Sequence, residues 1–326
     1  MYFALLVVFL GIAGWIGANR FREIEKTAKE MRNLLDNMKT ELSQMQVIKD
    51  ETQNEIDNIK KKIENESKEF MEVIYNINQG KFEFEKGELF RAIDYFKRII
   101  KVKPESPEAH RLLGNAYSSN GEDEKAIYHL KEAIKLKPDY YEAYLNLGRA
   151  YRRYGNFDLA IEYSKKSIEL NPKSVLAVEQ IGLTYFQKGD ELQAEEWYQK
   201  VKEIEPNYAM GFLGLARIAY KQGKLDKALE FYKYAKSKIM NLVDEGRCSH
   251  WDIYHLAEIH LACNNVDEAE SDFNKAFLMN SAYETLRAIK WDLEVLKSSP
   301  YPPENIDKFL KIFENKLKKH IELKVL

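Results

Sequence analysis

The feature that most constrains this chain is an internal period of 34 residues. Pro104, Pro138, Pro172 and Pro206 fall on it, as do Gly80, Gly114, Gly148 and Gly182, continued by Ala216. Gly87, Gly121, Gly155, Gly189 and Gly223 form a third series, Ala92, Ala126, Ala160, Ala194 and Ala228 a fourth, and Tyr117, Tyr151 and Tyr185 a fifth, each of these tyrosines three residues after a glycine of the first. Such a period marks a stacked repeat, and each series has a physical task. The first small residue lets helix A of a repeat cross its own helix B closely, and the second glycine closes the turn between them at positive φ. The alanine of helix B receives a neighbouring helix, and the proline ends helix B so that the next repeat can start. One pair leaves an apolar face uncovered; stacked pairs bury it as a continuous core and wind into a superhelix with a concave inner surface.

Ala143 to Pro172, AYLNLGRAYRRYGNFDLAIEYSKKSIELNP, carries the pattern most fully. On these residues the chain resembles the tetratricopeptide repeat family over about two thirds of its length. The repeats are expected at 73–106, 107–140, 141–174, 175–208 and 209–242; after an insertion, Val243 to Ser249, a sixth is expected at 250–283, and this sixth repeat lacks both turn glycine and final proline. The resemblance implies an all-α fold, a right-handed α-solenoid of helix pairs over 73–283. It also implies a binding surface on the inner positions of the A helices, here Arg111, Asn115, Asn146, Arg149, Arg152, Arg153, Gln180, Phe186, Arg217, Tyr220 and Lys221. Cations dominate that set, and guanidinium groups on a rigid scaffold bind carboxylates in bidentate fashion, so the expected partner is an acidic segment or C-terminus of another protein. Arg111, Asn115 and Asn146 also match three positions of the carboxylate clamp of some relatives, whereas Leu176 and Gln180 stand where its other cations belong.

Ahead of the repeats, Tyr2 to Ala18 holds 17 residues without a charge, enough at about 1.5 Å each to cross most of a ~30 Å hydrocarbon layer. Nothing basic precedes it, while Arg20, Arg22, Lys26, Lys29, Arg32 and Lys39 follow. That asymmetry reads as an uncleaved anchor over 1–18 with the bulk of the chain facing the cytoplasm. From Asn19 to Gln79 there is no glycine or proline. Heptads counted from Phe21 put Phe21, Ala28, Leu35, Leu42, Lys49, Ile56, Ile63, Phe70 and Ile77 at a, and Ile24, Met31, Met38, Met45, Thr52, Ile59, Glu66 and Val73 at d. Fourteen of these seventeen positions are apolar. The pattern predicts a coiled-coil stalk over 19–72, within a heptad run about 85 Å long, and a parallel homodimer.

Residues 284–326 depart from the period. Leu286, Ile289, Leu293 and Leu296 mark one helix, and a last helix presents Ile306, Phe309, Leu310, Phe313, Leu317 and Ile321 on one face with Lys308, Lys311, Lys316, Lys318 and Lys319 around the other. Both are expected to cap the solenoid.

Composition narrows function further. With 50 basic and 52 acidic residues and a net charge of -2, the chain lacks the field of a general nucleic-acid binder. No phosphate loop, metalloprotease, nucleophile-elbow or kinase signature occurs, so no enzyme and no cofactor is expected. Cys248, His250, His255, His260 and Cys263 cluster in sequence, but their spacing fits no standard zinc site and no metal is expected. The leading expectation is a membrane-anchored adaptor; the alternative is a structural or assembly factor on the extracytoplasmic side whose repeats mediate oligomerisation.

Overall fold

A computed structural model describes residues 2–280 and 282–325. Helix α1 spans Tyr2–Glu85 without interruption, because no proline occurs within it and none of its glycines meets a reason to turn. Its beginning is the one stretch among the described residues long and apolar enough to cross a membrane. The chain divides into two units, one ending at Phe70 and the other beginning at Met71. In the first, α1 runs alone. The A helix expected for the first repeat is the end of this same helix, so the boundary expected at residue 72 is no break in helical structure.

The second unit is an α-solenoid. The end of α1 pairs with α2 (Leu89–Val102), and four regular pairs follow: α3 (Pro107–Ser119) with α4 (Asp123–Leu136), α5 (Tyr141–Tyr154) with α6 (Phe157–Leu170), α7 (Val175–Lys188) with α8 (Glu191–Ile204), and α9 (Ala209–Lys221) with α10 (Leu225–Asp244). A further pair, α11 (His250–Ala262) with α12 (Val266–Met279), is followed by α13 (Tyr283–Lys297) and α14 (Ile306–Val325).

Local chemistry explains these boundaries. Ser106 caps α3, accepting from the Ala109 amide ahead of Pro107; Asn156 and Asp190 do the same for α6 and α8. Gly155 and Gly189 close the α5–α6 and α7–α8 turns at φ 87° and 89°, a conformation that side chains resist. In the sixth repeat, which has no glycine at that position, Asn264 takes φ 59° instead, the residue after glycine that tolerates it best. At the α5–α6 crossing a Cβ on Gly148 would stand 2.5 Å from Ser164 Oγ and 3.0 Å from the Ala160 carbonyl oxygen.

The insertion is partly helical. Val243 and Asp244 prolong α10 to 20 residues, and the chain then turns at Gly246 with φ 67°. Ser249 and Asp252 form a reciprocal capping box that starts α11.

The two last helices take different places. Phe309 and Phe313 of α14 pack on Phe273, and Phe313 also reaches Tyr254 and Phe277, closing the end of the stack. The side chain of Ile321, expected on the same face, lies outside the described residues. Helix α13 lies instead along the A helices.

Candidate functional site

The A helices line the inner face of the solenoid, and α13 meets each of them from the second repeat to the sixth. It packs on α3, α9 and α11, Arg287 Nη2 comes within 3.5 Å of the Arg153 carbonyl oxygen at the end of α5, and the Trp291 ring stands edge-on to Phe186 of α7 at 5.6 Å. The reason lies in its two apolar faces. Leu286, Ile289, Leu293 and Leu296 join the core that α11 and α14 share, while Trp291 and Val295 join Val178, Phe186, Leu215 and Ile218. A helix apolar on two sides must be covered on both.

At its centre Asp292 reaches Arg217. The guanidinium donates from Nε to Glu258 Oε1 at 2.8 Å and from Nη2 to Glu258 Oε2 at 2.6 Å, and Nη2 lies 2.9 Å from Asp292 Oδ2. All three side chains are at most 7% exposed. Burial opposes the charge on Arg217, but Asp292 and Glu258 outweigh it and keep the group protonated. Burial likewise works to raise Glu258, yet the charge and hydrogen bonds of Arg217 hold it below the usual carboxylate range. Asp292 goes the other way: burial pushes it up to about 7, against Arg217 and with the help of Glu258. One cation thus serves two carboxylates. His255 Nδ1, Glu258 and Asp292 bring three ligand-type atoms within 4.8 Å of one another, but Arg217 Nη2 lies among them, 3.4 Å from that nitrogen, so the positive charge at their centre is a guanidinium.

The eleven residues expected on the binding surface are distributed unevenly. Arg217 departs most from expectation, being a buried core cation rather than a solvated one, because Glu258 and Asp292 converge on it from α11 and α13. Phe186 and Tyr220 are also buried, under Trp291 and through a 2.7 Å hydrogen bond from the tyrosine hydroxyl to the Tyr301 carbonyl. Asn146 and Gln180 are buried as well. Arg111 is held within its own repeat by Glu108 and by the Tyr140 hydroxyl, each at 2.7 Å, and Asn115 lines a cavity of about 60 Å³ with Phe84, Phe96 and Leu112. Arg152 donates to Gln187 at 2.9 Å, Arg153 pairs with Asp123 at 3.5 Å, and Lys221 pairs with Glu191 at 3.0 Å. Arg149 is half-buried on α5. Of the clustered cysteines and histidines, His260 is engaged by Asp272 at 2.9 Å, Cys248 is half-buried and Cys263 exposed.

Glu258, Trp291, Asp292 and Val295 were not among the expected site residues. Their signal was present: Glu258 is the one acid in the apolar run IYHLAEIHLA, and Asp292 sits between Trp291 and Leu293. An acid on a buried face requires a cation.

Three family models match the chain: one described as TPR repeat over residues 114–153, and two described as tetratricopeptide repeat over 141–174 and 177–208. No curated protein sequence matches it significantly. Among solved structures it is similar to MamA, at 28% identity over 51% of this chain and 96% of that one with a TM-score of 0.43. It is also similar to a thermophilic TPR protein of Thermus thermophilus, at 24% identity over 53% and 94% with a TM-score of 0.48. A third is PilW, named as a type IV pilus biogenesis factor, at 18% identity over 62% and 91% with a TM-score of 0.48. Residues 114–174 and 177–208 are thus tetratricopeptide repeats, and such repeats support a protein-interaction scaffold.

Proposed function

We propose that this scaffold is anchored in a membrane by the start of α1, dimerises through the stalk, and offers the A-helix face of its solenoid to an acidic segment of a partner protein in the cytoplasm. The apolar beginning of α1 supports the anchor, and the basic residues Arg20 to Lys39 that follow it support the orientation. The stalk seam supports the dimer: Met31, Leu35, Met38 and Leu42 are all more than half exposed, and an identical helix leaving the same membrane in the same direction would cover them.

The observation that carries the partner reading is the Arg217–Asp292 pair. The A-helix face already holds a helix at an arginine, through a side chain that can accept from its guanidinium, and an acidic ligand offers the same acceptor chemistry. A photo-crosslinker in place of Glu142, two turns before Arg149 on the same face of α5, tests it in intact cells. The expected product is an adduct with a different protein that is lost in Arg149→Glu. An adduct with a second copy alone would favour the oligomerising alternative. Orientation is read from Cys263: a membrane-impermeant thiol reagent should label it only after the cells are opened, and labelling in intact cells would reverse the topology.

A further inference from the structure

What fills the A-helix face tells what that face selects. Trp291, Asp292 and Val295 stand at i, i+1 and i+4 of one helix and together engage two A helices: the ring meets Phe186 of α7, the carboxylate meets Arg217 of α9, and Val295 joins the cluster of Val178 from α7 with Leu215 and Ile218 from α9. This is recognition of an amphipathic helix by anchors at helical spacing, a different mode from the capture of an extended tail.

The resident helix fits incompletely. Arg217 is already balanced by the two hydrogen bonds from its guanidinium to Glu258, which belongs to the solenoid. Asp292 therefore brings a second carboxylate to a cation that is already paired. The other titratable or charged side chains that bear on Asp292 are His255 of α11, Arg152 of α5, Tyr198 of α8 and Tyr232 of α10, and both tyrosines also bear on the Arg217 guanidinium. Burial pushes Asp292 up to about 7, so near neutral pH α13 docks either with excess negative charge or with a proton taken up. A tethered segment enjoys an effective concentration in the millimolar range. An outside helix can displace it only if its docking is weak, and the surplus carboxylate supplies that weakness.

Resting on the assignment of the partner to this face, we propose that α13 is a displaceable resident ligand. The partner segment is an amphipathic helix presenting an aromatic ring, a hydrogen-bond acceptor for Arg217 and a branched aliphatic side chain at i, i+1 and i+4.

The test uses the full chain and synthetic peptides of residues 283–297. Trp291→Ala with Val295→Asp in the chain removes two anchors of α13 and should raise its affinity for the labelled native-sequence peptide at least tenfold over that of the unaltered chain. At pH 8 the peptide carrying Asp292→Asn should bind several-fold tighter than the native peptide, because it keeps the acceptor and sheds the charge. The Trp291→Ala peptide should bind at least tenfold more weakly. Equal binding by altered and unaltered chains, or indifference to the peptide changes, would overturn the proposal.

Should the altered chain fail to fold, amide hydrogen exchange on the unaltered chain decides. Protection of α13 at least tenfold below that of α9 and α11 is expected, and equal protection contradicts displaceability. The outcomes also separate this inference from the one beneath it. A partner adduct near Arg149 together with failure of every peptide leaves the scaffold reading standing and removes this one; peptide binding without any partner adduct does the reverse.

Discussion

The stalk and the solenoid are written in the same apolar residues at helical spacing, yet Phe21, Leu35 and Leu42 are 70%, 55% and 68% exposed while Ala126, Leu130 and Leu147 are fully buried. The difference is one of supply. Each solenoid helix finds its cover within 34 residues of sequence, since the next repeat brings the same face back. The stalk repeats every seven residues along a single straight element, and a helix cannot fold onto its own seam. A short period in one helix commits a protein to a second chain, whereas a long period across two helices lets it close on itself. The solenoid carries closure further than its repeats require, by placing α13 against the A helices.

The largest expected effect breaks that closure at its most buried charge. Arg217→Ala leaves Glu258 and Asp292 buried without a cation, and should cost about 3–5 kcal/mol of solenoid stability in a denaturant melt. Gly148→Leu comes next, by forcing a side chain into Ser164 and the Ala160 carbonyl, at about 1–3 kcal/mol or more. Leu35→Asp with Ile59→Asp should act on the other region alone, turning a sedimenting dimer into a monomer while the solenoid melts at an unchanged temperature.

A pH series sharpens the comparison within the solenoid. Because its folded-state pKa is raised above the ordinary aspartate value of about 3.9, Asp292 costs stability above pH of about 7, and that cost fades as pH falls towards about 4. Asp292→Asn should therefore stabilise the chain at pH 8, with the gain shrinking on acidification in thermal melts. The smallest effect is expected at Arg98 and Asp94, a 2.6 Å pair with both side chains more than half exposed; Arg98→Ala should cost below about 1 kcal/mol.

Much of this was legible in the sequence, and what was not shares one cause. Prolines and glycines at a fixed spacing placed the helix pairs, since a proline ends a helix and a glycine turns it by local chemistry alone. The substitution of Asn264 for a turn glycine and the helical start of the insertion are local details of the same kind, which the period passes over. The placement of α13 is not local. It depends on how far the superhelix turns between Arg217 and Asp292, 75 residues apart in sequence, and no pattern within one repeat records that angle. Arg217 occupies an inner A-helix position like Arg149, and only the arrival of Glu258 and Asp292 makes it a core residue. Arg153 illustrates the same limit: its pairing with Asp123 means that reversing it would set two acids together, so Arg149 is the cleaner position for a binding test.

In the proposed assembly the solenoid covers its own apolar faces while the stalk takes its cover from a second copy. Hydrogen exchange of the full chain in detergent micelles, followed over a hundredfold dilution, addresses both halves at once. Amides between Phe21 and Phe70 are expected to lose protection on dilution while those of α3 to α12 keep theirs. Stalk amides protected equally at every concentration, or solenoid amides that lose protection with them, would contradict it.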